Sequence, residues 1–242
     1  MIRMENLTSP NDVAAGDLDG DGAPDLAIAM DSYLKVLWNQ GDGTFVEHLA
    51  YGTSSWTRAV LIGDFDGDGL PDVVTGGFDQ DGAQQIVGSV ALLRGSDGFA
   101  TPTSHVVPHS AERLAAGDLD GDGRPDLVVV SPGHPIGVMR NTGAGFTDEA
   151  LLPVDADGAV LADLDGDGRL DIVATRAGAV TWLRNTGGAV FAAPVDFPGV
   201  SNAWPAAGDL DGDGRPDVVL AAPYTTAVGA GWVGVMFDRC LP

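Results

Sequence analysis

Five times in this chain four aspartates stand at positions 1, 3, 5 and 9 of a short run, Asp-x-Asp-Gly-Asp-Gly-x-x-Asp. The sets are Asp17, Asp19, Asp21 and Asp25; Asp64, Asp66, Asp68 and Asp72; Asp118, Asp120, Asp122 and Asp126; Asp163, Asp165, Asp167 and Asp171; and Asp209, Asp211, Asp213 and Asp217. Alternate carboxylates converge on one point when the glycines between them let the backbone curl through positive φ. Hard oxygen donors select a hard cation. With the carbonyl at position 7 (Ala23, Leu70, Arg124, Arg169 and Arg215) and water, each loop offers the roughly six to eight oxygens that Ca²⁺ takes, more protein oxygens than Mg²⁺ tolerates. Five Ca²⁺ sites are expected. The EF-hand alternative fails because it needs Glu at position 12 and flanking helices, whereas position 12 here is Ile28, Thr75, Val129, Ala174 or Leu220 in a β-rich run. A solvated acidic turn would not repeat four aspartates at fixed offsets five times.

The elements that hold these loops form a repeat. The first aspartates, Asp17, Asp64, Asp118, Asp163 and Asp209, lie 47, 54, 45 and 46 residues apart, a period in the range of a propeller blade. Within each period a small-residue strand A precedes the loop and an apolar strand B follows it. A third run, strand C (Leu34–Trp38, Val138–Arg140, Val180–Leu183), leads to a Gly-rich turn, after which strand D is expected to begin at Phe45, Phe99, Phe146 and Phe191. Helical periodicity is absent. The fold class expected is all-β, a single domain over residues 1–242 forming a five-bladed β-propeller of four-stranded antiparallel blades. The blades fall at about 8–52, 53–106, 107–153, 154–199 and 200–242. The fifth lacks a strand D, so the N-terminal strand Ile2–Leu7 is expected to complete it and close the ring, leaving no free sheet edge. Two B–C connections, residues 78–88 and 223–231, are longer than the rest and are expected to be either a partial lid or a tolerated surface insertion.

The formal charge is −23, but 20 of the 35 acidic residues lie in the metal loops, leaving 15 against 12 Lys+Arg elsewhere. The acidity is local and would be offset by divalent ions. It argues against nucleic acid and anionic membrane as partners, and no run of about 18 apolar residues suggests membrane insertion. Apolar residues make up 44% of the chain, enough to fold. The lone Cys240 allows no intrachain disulfide, which leaves metal as the staple. The start has no signal-peptide core, so the chain is expected either to be cytoplasmic or to have lost a leader and be extracellular or at the cell surface.

The near-identical loops GDLDGDGAPDLAIA, GDFDGDGLPDVVTG, GDLDGDGRPDLVVV, ADLDGDGRLDIVAT and GDLDGDGRPDVVLA resemble the FG-GAP/VCBS family, the integrin α-subunit-like propeller repeat. The resemblance covers nearly the whole chain and implies that the loop joins strands A and B and holds Ca²⁺ on one face, while the opposite face binds proteins or sugars. Integrin-type propellers usually have seven blades, so their partner-binding residues do not map here. On the register of this sequence the opposite face carries residues that vary from repeat to repeat: Tyr33, Trp56, Arg58, His109, Arg113, His134, Asp157, Trp204 and Tyr224. Aromatic rings beside charged groups suit a carbohydrate or a protein loop. The function expected is a calcium-stabilised, monomeric binding module of adhesion or lectin type. The alternatives are an enzyme of lyase or cyclase type using His109 or His134, and a purely structural or engineered scaffold. No nucleophile, phosphate-loop or dinucleotide motif supports catalysis.

Overall fold

A computed structural model describes residues 9–80, 83–199, 203–222 and 232–236. Almost all regular structure is β, joined by one 3₁₀ turn, Gly95–Asp97. The first sheet runs β1 (Pro10–Gly16), β2 (Asp25–Met30), β3 (Tyr33–Asn39) and β4 (Phe45–Gly52) in that spatial order; the second repeats it with β5 (Trp56–Gly63), β6 (Asp72–Gln80), β7 (Ile86–Leu93) and β8 (Thr103–Val107). The third contains β9 (Arg113–Gly117), β10 (Asp126–Val130), β11 (His134–Met139) and β12 (Ala150–Ala156), and the fourth β13 (Gly158–Ala162), β14 (Asp171–Arg176), β15 (Ala179–Leu183) and β16 (Val195–Pro198). The fifth has three described strands, β17 (Trp204–Gly208), β18 (Asp217–Ala222) and β19 (Trp232–Met236). The strand expected from Ile2–Leu7 lies outside the described residues, and the closed ring is therefore not seen.

Burial follows strand order. The second strand of a sheet is covered on both faces, as in β10, where all five residues are buried, so it reads as an unbroken apolar run. The outer strands alternate, as in β8 and β16. The contacts divide the chain into two compact units, one holding the described residues up to Leu114 with Asn141–Glu149, the other Ala115–Arg140 and the described residues from Ala150. In the first, Leu34, Val36 and Ala27 of the first sheet pack against Val60, Val73 and Leu93 of the second. In the other, Val128 and Val138 meet Ile172 and Leu183, and Val173 and Trp182 meet Val218 and Leu220.

Two expectations need correction. Strand D begins at Phe45 only in the first repeat; elsewhere it starts at Thr103, Ala150 and Val195, after the phenylalanine. Phe99 (3% exposed, φ 65°) and Phe146 (6% exposed) turn inward instead, and Phe146 and Phe191 make single bridges to Asn141 and Asn185. Burying an aromatic ring is worth more than extending an outer strand by a few residues. The expected lid at residues 78–88 is an extension of a hairpin, because Phe78 pairs with Gly88 and Gln80 with Ile86 across β6 and β7. Residues 223–231 lie outside the described set.

Candidate metal centres

Each aspartate loop is built the same way. The glycines at positions 4 and 6 adopt positive φ in all five, for example Gly20 at 80° and Gly22 at 89°, a region that side chains disfavour. In four loops the position-1 carboxylate accepts both of their N–H groups: Asp17 takes Gly20 N at 2.8 Å and Gly22 N at 2.9 Å, and Asp209 takes Gly212 N at 2.7 Å and Gly214 N at 3.0 Å; in the loop of the fourth repeat, Asp163 takes Asp167 N at 3.0 Å and Gly168 N at 2.9 Å. Position 3 accepts from position 5 and position 5 from position 7, as in Asp21 N to Asp19 at 3.1 Å and Ala23 N to Asp21 at 2.8 Å. These local bonds curl the chain and aim the carboxylates inward.

The aspartate at position 9 opens the second strand and is buried in every repeat. Asp25 accepts Leu18 N and Asn39 N, each at 2.8 Å; Asp72 accepts Phe65 N at 2.9 Å and Gly95 N at 3.0 Å. Asp171 accepts Asn185 N at 2.7 Å and the Trp182 indole N–H at 2.9 Å. This residue thus ties the loop to the turn after the third strand. Burial pushes the carboxyls of Asp72 and Asp171 above the usual range against these bonds.

Carboxylate oxygens of three aspartates lie within 4.8 Å of one another in every loop: Asp17, Asp19 and Asp25; Asp64, Asp66 and Asp72; Asp118, Asp120 and Asp122; Asp163, Asp165 and Asp167; Asp209, Asp211 and Asp217. Such an all-oxygen donor set fits a hard divalent cation, so the residues present could hold one ion per loop.

Arginine contacts add a feature that motif reading missed. From the end of the third strand, or just past it, Arg94 reaches Asp66 at 3.1 Å, Arg140 reaches Asp120 at 3.8 Å and Arg184 reaches Asp165 at 2.5 Å, always at the position-3 carboxylate. Asp165 foremost raises the Arg184 pKa further. Arg124 and Arg169 fold back onto Asp122 and Asp167 of their own loops. The signal was available, since aligning the repeats places Arg94, Arg140 and Arg184 in one column. In the next column, the Asn141 amide donates to the Phe65 carbonyl at 2.6 Å, and Asn185 donates to Leu119 at 2.8 Å, each fastening one repeat to the loop of the repeat before.

Of the residues expected on the other face, two meet. Trp56 stacks on Phe78 with centroids 5.2 Å apart at 15°, and the Arg58 guanidinium lies 5.6 Å from the same ring. Arg58 also donates to Asn11 Oδ1 at 2.9 Å, and Asn11 to Asp31 at 3.2 Å. Tyr33 instead packs against a core of Ile28, Met30 and Leu37. His134 is held in the β10–β11 turn by Ser131 and Pro132, and the Asp157 amide donates to Thr175 O at 2.7 Å. His109 and Arg113 are half-buried around the start of β9, while Trp204, opening β17, is 58% exposed. Tyr224 lies outside the described residues.

A family profile described as FG-GAP-like repeat matches residues 12–75, 118–174 and 163–220. No curated protein is significantly similar in sequence. Among solved structures, a lectin of Agrocybe aegerita that recognises non-reducing terminal N-acetylglucosamine is similar over 94% of this chain and 66% of its own, at 21% identity and a TM-score of 0.62. BBS1N, solved in complex with ARL6DN, is similar over 94% and 65% (13% identity, TM-score 0.56), and a luciferin-regenerating enzyme over 92% and 78% (13% identity, TM-score 0.50). These neighbours are β-propeller proteins, and at such identities the likeness is one of fold.

Proposed function

Given that the chain belongs to the FG-GAP-like repeat family, we propose that it is a calcium-stabilised β-propeller module that binds carbohydrate. The observation that carries the metal half is the convergence of three carboxylates in each of five loops, always those at positions 1 and 3 with either position 9 or position 5. The aspartates at positions 1, 3, 5 and 9, with the position-7 carbonyl, hold one Ca²⁺ per loop. Bound Ca²⁺ supplies positive charge that relieves repulsion among four carboxylates. The chain's own part is to hold those groups in place through the loop amides. A ring of five blades, completed by residues 2–7, belongs to the same reading.

Carbohydrate recognition is supported by the Trp56–Phe78–Arg58 cluster, in which a half-buried aromatic pair stands beside a guanidinium and the Asn11–Asp31 pair. Rings pack on the C–H faces of sugars while such polar groups bond hydroxyls. The lectin likeness points the same way, although this chain spans 66% of that protein.

Thermal melts in EDTA and in millimolar Ca²⁺ test the first half, since a ligand that binds only the folded state must raise the midpoint. Overlapping curves would refute it. A glycan array read with wild type and Trp56→Ala tests the second; a sugar hit that survives the substitution removes this cluster as the site.

A further inference from the structure

Within the first unit a cleft of about 490 Å³ opens between the first aspartate loop and the second repeat, walled by Asp17, Asp19, Trp38, His48, Leu70 and Phe99. It arises where two columns of the repeat are broken. In the second, third and fourth repeats an arginine near the end of the third strand meets the position-3 carboxylate at 3.1, 3.8 and 2.5 Å. In the first repeat that column holds Trp38, and among the described residues no arginine reaches Asp19, which is exposed where Asp66, Asp120 and Asp165 are half-buried. The second break is Gly95. It donates its N–H to Asp72 as Asn185 does to Asp171, yet has no amide to reach the preceding loop, and a Cβ there would lie 2.3 Å from the Pro71 carbonyl oxygen.

We propose that this cleft is a docking site for an arginine side chain of a partner polypeptide, the guanidinium taking the place at Asp19 that Arg94, Arg140 and Arg184 take at their own loops. The indole of Trp38, steadied by the His48 ring at a centroid distance of 4.7 Å, supplies the flat face on which a guanidinium stacks. Leu70 and Phe99 accommodate its methylene stem. Five bound Ca²⁺ would offset ten of the 23 net negative charges, and the remainder still favours the approach of a cationic segment. This site is separate from the Trp56 cluster and stands independently of the carbohydrate reading.

N-acetyl-arginine amide is the probe, with its lysine and citrulline counterparts, titrated in saturating Ca²⁺ while the Trp38 indole N–H is followed by ¹H–¹⁵N NMR. A saturable shift of Trp38 with arginine, at least about tenfold weaker with neutral citrulline, is expected. Trp38→Arg, which supplies the missing guanidinium from within, should abolish the shifts at the Gly20 and His48 amides. Should that variant not fold, Trp38→Leu should weaken binding about tenfold through loss of the π face. A Trp38 signal that does not move, equal responses to arginine and citrulline, or unchanged binding in a folded Trp38 variant overturns the proposal. So does a response seen only in EDTA, which would mean that the cation merely fills the aspartate loop.

Discussion

Asp171→Ala separates the two roles of the position-9 aspartate. The side chain is fully buried and accepts the Asn185 amide at 2.7 Å, the Trp182 indole at 2.9 Å and, more weakly, the Leu164 amide at 3.4 Å. Removing it strands two good donors in the interior at about 1–3 kcal/mol each, with a further cost for the vacated volume. Part of this is returned, because burial itself disfavours the Asp171 anion. A net loss of about 3 kcal/mol is therefore expected in EDTA, a large share of the roughly 5–15 kcal/mol that holds a domain folded, and a larger one in Ca²⁺, because a ligand of the ion is lost as well. Asp167→Ala should behave differently. That carboxylate faces Arg169, Arg184 and one loop amide near the surface, so its loss should cost under about 1 kcal/mol in EDTA. In Ca²⁺ at about a hundred times Kd it should forfeit much of the ~2.7 kcal/mol that one bound ion confers. Urea unfolding followed by tryptophan fluorescence, in EDTA and in Ca²⁺, measures both. If Asp171→Ala matches wild type in EDTA, the structural role assigned to this aspartate is wrong.

Asn185→Ala removes bonds to the Leu119 and Leu170 carbonyls at 2.8 and 3.0 Å, and urea melts should show a loss of about 2–4 kcal/mol. Burial raises the Glu149 pKa from 4.5 to about 7, so the folded state favours the protonated acid: that stabilisation is complete below about pH 4.5 and is lost as pH rises through 7. Glu149→Gln should therefore be more stable than wild type at pH 8 and lose that advantage by pH 5; a constant difference across this range would contradict the assignment. Gly88→Ala would set a Cβ 1.7 Å from the His109 carbonyl oxygen and should lower the melting temperature by several degrees or prevent folding, as scanning calorimetry would show.

The sequence by itself determined the repeat, the strand order within each sheet and the metal-loop constellation. Those features rest on short-range chemistry: glycines at positions 4 and 6 must take positive φ, and Asp17 must then meet the amides of Gly20 and Gly22 within the same few residues. The family resemblance rested on the same residues. What only tertiary structure decided depends on partners tens of residues away. Whether Phe146 extends an outer strand or turns inward depends on Phe65, whose ring meets it edge-on at 5.9 Å across a sequence gap of 81 residues. Trp56 and Arg58 become a cluster only because Phe78 is brought beneath them by the β5–β6 register, and Tyr33, of equal promise in the sequence, is drawn into a core instead. The arginine column was legible as a pattern but not as a contact, since nothing in the spacing of Arg184 says that its guanidinium lies against Asp165. Local hydrogen bonding and backbone sterics are written into adjacent residues, whereas side-chain burial is a competition among distant groups that the folded chain alone resolves.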